Sequence, residues 1–128
     1  MAAVTKTPVA ILAAVAVPAG GTKASPNVLG IGPWIDVSAF NGGVLGGRIR
    51  NTGGTVTAAG QMVWQWTPEA SGTPTKIYDL WGFGGGMASA DDVSTSIRLD
   101  KEIGRVRAVC YGNLTSAVTF ESDLAAGS

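Results

Sequence analysis

The sequence contains no histidine, and this absence excludes several kinds of chemistry at once. Without an imidazole there can be no Ser-His-Asp or Cys-His catalysis, no imidazole ligand for zinc and no histidine switch near neutral pH. The single cysteine, Cys110, cannot form an internal disulfide. It lies in the apolar stretch from Val106 to Tyr111 with no histidine to activate it, so we expect a buried thiol rather than a nucleophile.

Charge is also scarce. Nine Lys and Arg residues balance nine Asp and Glu residues, and charged residues make up 14% of the chain, below a usual level of about 25%. Binding to nucleic acid needs clustered Lys and Arg, whereas apolar residues separate the arginines here, which are Arg48, Arg50, Arg98, Arg105 and Arg107. We therefore expect no nucleic-acid partner, and a weakly charged surface that is prone to protein association.

No hydrophobic run is long enough to cross a membrane. The apolar run Val9–Val17 follows Lys6, as the apolar region of an export signal follows a positive charge, but it is far shorter than the roughly 20 residues of a membrane-spanning helix. We interpret it as a strand of the folded protein. The expectation is a protein that is neither exported nor bound to a membrane.

What the sequence does contain is typical of a β protein. Val, Ile and Thr account for 32 of the 128 residues, and such β-branched residues favour strands. The 19 glycines and 6 prolines indicate many turns between short strands. The predicted strands are Val9–Val17, Trp34–Val37, Val44–Arg50, Gln61–Thr67, Lys76–Gly82, Val93–Leu99, Arg105–Tyr111 and Ala117–Ser122.

This pattern predicts an all-β protein with a single β-sandwich of about eight short antiparallel strands, either a jelly roll or immunoglobulin-like. The length of 128 residues fits one domain. We place the sandwich at residues 9–128 and a short amino-terminal arm at residues 1–8.

Alternation within the strands assigns their faces. In the third predicted strand, Leu45, Gly47 and Ile49 share one side, which we expect to face the core. Arg48 and Arg50 share the other side. These two arginines are therefore expected to face solvent or a protein partner.

Motifs that would carry catalysis are weak. The segment Gly82–Gly86 superficially resembles a phosphate-binding loop, but it lacks the Lys-Ser/Thr ending and the strand-to-helix context, so we predict a flexible turn. The acidic residues at Asp91–Asp92, Asp100 and Glu102 match no calcium-binding loop. We predict no metal ion, no cofactor and no enzymatic activity.

Aromatic side chains are the better candidates for function. Trp64 and Trp66 share a face with other apolar residues, and we expect them to lie in the core. Trp81 and Phe83 lead into the glycine-rich segment, where they could anchor an interface. Trp34 is a further candidate for contact.

The order of several segments resembles small β-sandwich virion proteins of tailed bacteriophages. The resemblance is carried by strand and turn patterns at Val17–Thr22, Trp34–Ser38, Gly43–Gly53, Arg105–Asn113 and Ala117–Phe120. It implies a capsid decoration, or cement, protein on the outer surface of the virion head, made in the host cytoplasm. The implied partners are the major capsid protein and further copies of this chain, with a trimer favoured.

In this interpretation, the amino-terminal arm adds backbone pairing to a neighbouring subunit. The protein-contact candidates are Thr5, Thr7, Val9, Trp34, Arg48, Arg50, Trp81 and Phe83. One alternative is a structural protein of the phage tail or baseplate. Another is a carbohydrate-binding β-sandwich module, in which Trp34 or Trp81 stacks on sugar rings. An enzyme would require a carboxylate pair, or Cys110, in an accessible cleft.

Overall fold

A computed structural model describes residues 7–17, 31–51, 60–85, 91–111 and 118–126. Within these ranges the chain forms eight β-strands and no helix, so no helix in this part of the protein could cross a membrane. The strands are β1 (Thr7–Val17), β2 (Ile35–Asp36), β3 (Gly43–Arg50), β4 (Gly60–Thr67), β5 (Tyr78–Gly85), β6 (Asp92–Leu99), β7 (Arg105–Tyr111) and β8 (Val118–Ala126). All eight predicted strands are confirmed.

The strands form two antiparallel sheets of four strands each. Sheet A has the order β1-β8-β3-β6, and sheet B has the order β2-β7-β4-β5. The chain passes from one sheet to the other at almost every connection, and only β4 and β5 follow each other in the same sheet. This strand order is that of a jelly roll, and it decides between the two sandwich types that the sequence left open.

The core lies between the two sheets, and it is built by the alternation that the sequence predicted. Leu45 and Ile49 of β3 are fully buried in one cluster with Val106 of β7 and with Phe120 of β8, which pairs with Ile49 within sheet A. The other side of β3 carries Arg48 and Arg50, which are only partly buried. Cys110 of β7 is buried in the same core, as expected for a packing residue rather than a reactive one.

Strand β5 corrects one prediction. The glycine-rich segment was expected to be a turn, but Gly82–Gly85 continue β5 and pair with β4 down to Gly60. Glycine is disfavoured in strands, yet Trp81 before these glycines and Phe83 between them pack on the side chain of Trp64. Packing of the aromatic rings therefore outweighs the local preference for a turn.

Strand β1 begins inside the predicted arm. Thr7 and Pro8 pair with Ala126 and Ala125 of β8, so these two residues belong to sheet A. β1 is an edge strand of that sheet. The remainder of the arm, residues 1–6, lies outside the described residues, and Thr5 lies there with it.

Candidate functional site

The edge of sheet B formed by β5 exposes large apolar side chains. Trp81 is 44% exposed and Tyr78 is 46% exposed, and Ile77, immediately before the strand, is 41% exposed. We refer to Ile77, Tyr78 and Trp81 as the apolar edge. Three of the five large hydrophobic side chains that the structure describes as exposed thus lie within five residues of one another. They lie at the start of a strand whose outer edge has no neighbour in the described sheet order.

Trp81 is exposed because it lies on the edge strand of sheet B, although its side chain is on the face that points toward sheet A. Trp81 pairs with Trp64, and Phe83 pairs with Met62, so all four side chains point between the sheets. The rings of Trp64 and Trp81 are stacked with centroids 6.2 Å apart, and the ring centroid of Phe83 lies 5.7 Å from that of Trp64. β5 is the last strand of sheet B in the described order. Phe83 packs against the core, whereas Trp81 lies at its rim and is partly exposed to solvent.

A bulge in β5 shapes this edge. The register between β4 and β5 shifts after Trp64, so that Gln65 pairs with Asp79 and Trp66 with Tyr78. The rings of Trp66 and Tyr78 are 5.1 Å apart. The shift places Trp81 and Tyr78 on the same side of the strand, and a bulge at an edge is a common device for re-aiming side chains.

The outer face of sheet B carries a second feature, a row of side chains that crosses the sheet. Arg107 lies over the ring of Trp34, with its guanidinium carbon 4.5 Å from the ring centroid. Its Nε donates to Gln65 Oε1 at 2.9 Å, and Gln65 Nε2 donates to Asp79 Oδ1 at 3.0 Å. We call Trp34, Arg107, Gln65 and Asp79 the polar ladder.

The electrostatics of the polar ladder are set by partial burial of Arg107. Desolvation lowers the pKa of its guanidinium from the usual range, although the group remains a cation at neutral pH. The neighbouring Arg105 is 5.9 Å from the Trp34 ring centroid and donates to the backbone oxygens of Glu69 and Gly72. Trp34 is therefore flanked by two guanidinium groups whose described hydrogen bonds go to uncharged acceptors.

Arg48 and Arg50 lie on the outer face of sheet A, as predicted, and form ion pairs within the chain. Arg48 Nε donates to Asp92 Oδ1 at 2.8 Å, and its terminal nitrogens contact Asp92 and Glu121. Arg50 Nη2 also lies 3.8 Å from Glu121 Oε1. The hydrogen bond from Arg48 lowers the pKa of Asp92. These arginines thus have carboxylate partners inside the fold, in contrast to Arg107.

Two of the predicted contact residues, Thr7 and Val9, belong to β1. Val9 is partly buried and packs against the core, so its side chain belongs to the interior surface of sheet A. Pro8 and Ala10, on either side of it, are exposed. Thr7 pairs through its backbone with Ala126.

Cys110 is the potentially reactive side chain identified in the sequence. Burial raises the pKa of its thiol to about 12, so the thiol stays protonated at neutral pH. Within the ranges that the structure describes, no group of three or more Cys, Asp or Glu side chains is arranged to hold a metal ion.

The sequence nominated Trp34, Trp81 and Phe83 as contact candidates, but it did not indicate that Gln65, Asp79 and Arg107 form a group. The two-residue period of a strand places Arg105 and Arg107 on one face of β7, and Gln65 on the face of β4 that is opposite to Trp64. It could not show that β7 and β4 are neighbours in register, with Gln65 between Arg107 and Asp79.

Comparison with known proteins does not assign this chain to a family. No family model matches the chain, and no curated protein matches it. Among solved structures, the chain is similar to CBM29_1, a family 29 carbohydrate-binding module from Piromyces equi. The two share 11% sequence identity with a TM-score of 0.46, over 92% of this chain and 91% of the module.

Proposed function

We propose that this protein is a structural component of a tailed-phage virion that decorates the outer surface of the head. It would bind the major capsid protein and stabilise the shell through repeated protein–protein contacts. The proposal starts from the resemblance in strand and turn patterns. The jelly-roll sandwich is compatible with that resemblance.

The observation that carries the proposal is the apolar edge of β5. Grouped apolar side chains on a protein surface mark sites of protein contact, and aromatic residues such as Trp81 and Tyr78 are the usual anchors of interfaces. In the described sheet order β5 is the last strand of sheet B, and an edge strand can present backbone hydrogen-bonding groups beside these side chains. A partner could therefore gain both hydrogen bonds and apolar burial at one place.

A weak contact of this kind suffices in a shell. A capsid repeats each binding site by symmetry, and an oligomer that engages several sites at once converts later contacts into intramolecular ones. A homotrimer bound around local three-fold positions would use this effect. The protein would then resist release of neighbouring shell subunits without a strong single interface.

The first test is quantitative mass spectrometry of purified particles, which measures the molar ratio of this chain to the major capsid protein. A ratio near stoichiometric supports decoration of the head. A trace ratio would move the protein to the tail or baseplate, and absence from the particles would overturn the virion proposal.

A second test locates the contact surface. Particles that lack the protein are incubated with purified wild type, with Trp81→Ala, and with Val44→Ala as a matched control, because Val44 is an equally exposed apolar residue on sheet A. We expect Trp81→Ala to lose attachment and Val44→Ala to keep it. Equal attachment of both variants would rule out the apolar edge as the contact surface.

The arm is tested by truncation. Since Thr7 and Pro8 are part of β1, the informative deletion removes residues 1–6 only. We expect the truncated protein to fold and to lose attachment. Normal decoration of particles by the truncated protein would show that the arm makes no essential contact.

A further inference from the structure

The polar ladder is distinctive because it runs across the strands rather than along one of them. Its members Arg107, Gln65 and Asp79 come from β7, β4 and β5, which are consecutive strands of sheet B. Trp34 continues the row from the residue before β2. Neighbouring strands are about 4.8 Å apart, so the ladder presents one polar side chain at each such step.

The side chains of the ladder hold one another in place. Arg107 is fixed between the ring of Trp34 and Gln65 Oε1, and Gln65 is fixed in turn by Asp79. Groups that are already ordered lose little conformational entropy when they bind a ligand. The ladder therefore has the preorganisation that a binding surface needs.

On the β5 side of the ladder, the outer face of sheet B carries two exposed glycines. On β5 the next two outward positions after Asp79 are Gly82 and Gly84, which pair with Val63 and Gln61 of β4. Both glycines are exposed, and neither has a side chain to obstruct the face. Val63 beside them is buried with Val109 and Tyr111, so the accessible part of this face is the ladder itself and the two glycines of β5.

Along the ladder, the side chains change from hydrogen-bond donor to hydrogen-bond acceptor. Arg107 only donates, Gln65 both donates and accepts, and Asp79 only accepts. A hydroxyl group can donate and accept, so it suits every position. A negatively charged polymer would be attracted to Arg107 but repelled by Asp79. A positively charged polymer would be attracted to Asp79 but repelled by Arg107.

We propose that the outer face of sheet B is a binding site for an extended neutral polysaccharide, which lies across the strands along the polar ladder. The spacing of the strands is close to the length of one pyranose ring, so successive sugars would each meet one planar polar side chain. A peptide would instead add along a strand edge through its backbone. This site is separate from the apolar edge, because Trp81 points to the opposite side of sheet B from Gln65.

The test uses isothermal titration calorimetry and tryptophan fluorescence with maltohexaose, cellohexaose and chitohexaose, and with polygalacturonate as an acidic polymer. We expect at least one neutral hexasaccharide to bind the wild type. Arg107→Ala and Gln65→Ala should each raise its Kd by roughly tenfold or more, the loss expected for a hydrogen-bonding group in a binding site. Arg98→Ala, at an exposed arginine on β6 of the other sheet, should leave Kd unchanged.

Two further variants keep the result interpretable. Asp79→Asn preserves the shape of the ladder and is expected to weaken binding, with thermal melting to confirm that it is folded. Trp81→Ala should bind the sugar as the wild type does, so that loss of capsid attachment and loss of sugar binding are separate outcomes. Failure of all three neutral sugars to bind, binding of polygalacturonate alone, or binding that Arg107→Ala does not change would each overturn the proposal.

Discussion

Trp64 donates its indole Nε1–H to the hydroxyl oxygen of Ser122 at 2.8 Å, across the core from sheet B to sheet A. Both side chains are buried. The Ser122 hydroxyl in turn donates to the backbone oxygen of Gly46 at 2.7 Å. Every polar atom in this chain of contacts has a partner, so the largest side chain of the core is fixed in orientation without leaving a buried donor unpaired.

Replacement of Ser122 by alanine should therefore destabilise the protein. The change removes the acceptor of the Trp64 N–H, and a buried donor left without a partner costs about 1–3 kcal/mol. Chemical denaturation followed by tryptophan fluorescence measures the loss. The control is Ser96→Ala, at an exposed serine of β6, which should change the free energy of unfolding by less than about 0.5 kcal/mol.

Two adjacent glycines of β3 should respond in opposite ways to the same substitution. A Cβ on Gly47 would lie 2.6 Å from Trp64 Cζ2 and 3.0 Å from Phe83 Cε1, whereas a Cβ on Gly46 would find its nearest atoms at 3.9 Å. Gly47→Ala overpacks the core and should cost about 1–3 kcal/mol. Gly46→Ala restricts the unfolded chain without a clash and should be neutral or stabilising by up to about 1 kcal/mol.

Thermal melts of the two glycine variants, side by side with the wild type, measure the difference. A loss of stability in Gly46→Ala as large as that in Gly47→Ala would show that backbone strain, and not contact with Trp64 and Phe83, governs this strand. Equal stability of Gly47→Ala and the wild type would show that the aromatic rings move aside without cost.

The fold was largely predictable because strand alternation is local. The burial of Leu45 and Ile49, opposite the outward Arg48 and Arg50, depends only on the two-residue period of a strand. The error at Gly82–Gly85 has the same origin, since local preference alone favours a turn at glycine. What overrides it is the packing of Trp81 on Trp64, which comes from a different strand.

The candidate site was less predictable because it depends on pairing between distant segments. Arg107 and Gln65 are 42 residues apart, and Gln65 and Asp79 are 14 residues apart and form the pair that follows the register shift between β4 and β5. No pattern within one strand encodes which strand lies beside it or in which register. Single residues such as Trp34 and Trp81 could be nominated, but the polar ladder could not.

Cys110 should be inert to thiol reagents while the protein is folded. Burial raises the pKa of its thiol to about 12, and both the scarcity of thiolate and the lack of access suppress its reaction. We expect a disulfide reagent at pH 8 to label no cysteine in the native protein and one in denaturant. Rapid labelling under native conditions would contradict the buried position in β7.

The loop between β4 and β5 is organised around the carboxylate of Glu69. This carboxylate accepts hydrogen bonds from the backbone N–H groups of Lys76 and Thr75, at 2.9 Å and 2.7 Å, and from the Thr75 hydroxyl at 2.9 Å. The hydrogen bond from Lys76, followed by those from Thr75, lowers the pKa of Glu69. A carboxylate with a lowered folded pKa contributes stability above the unfolded pKa, and this contribution is lost as the pH falls through the folded value.

Protection of the Lys76 and Thr75 amides against hydrogen exchange should therefore weaken as the medium is acidified below the usual range of a glutamate. Rates are corrected for the pH dependence of exchange in the unfolded chain. The amide of Val37, which donates to the Gly104 backbone oxygen at 2.9 Å, serves as the internal control and should keep its protection over the same range. In Glu69→Gln the side chain no longer titrates, so protection at Lys76 and Thr75 should be lower at neutral pH and independent of pH. If the wild type and this variant show the same acid profile, then Glu69 does not control the loop.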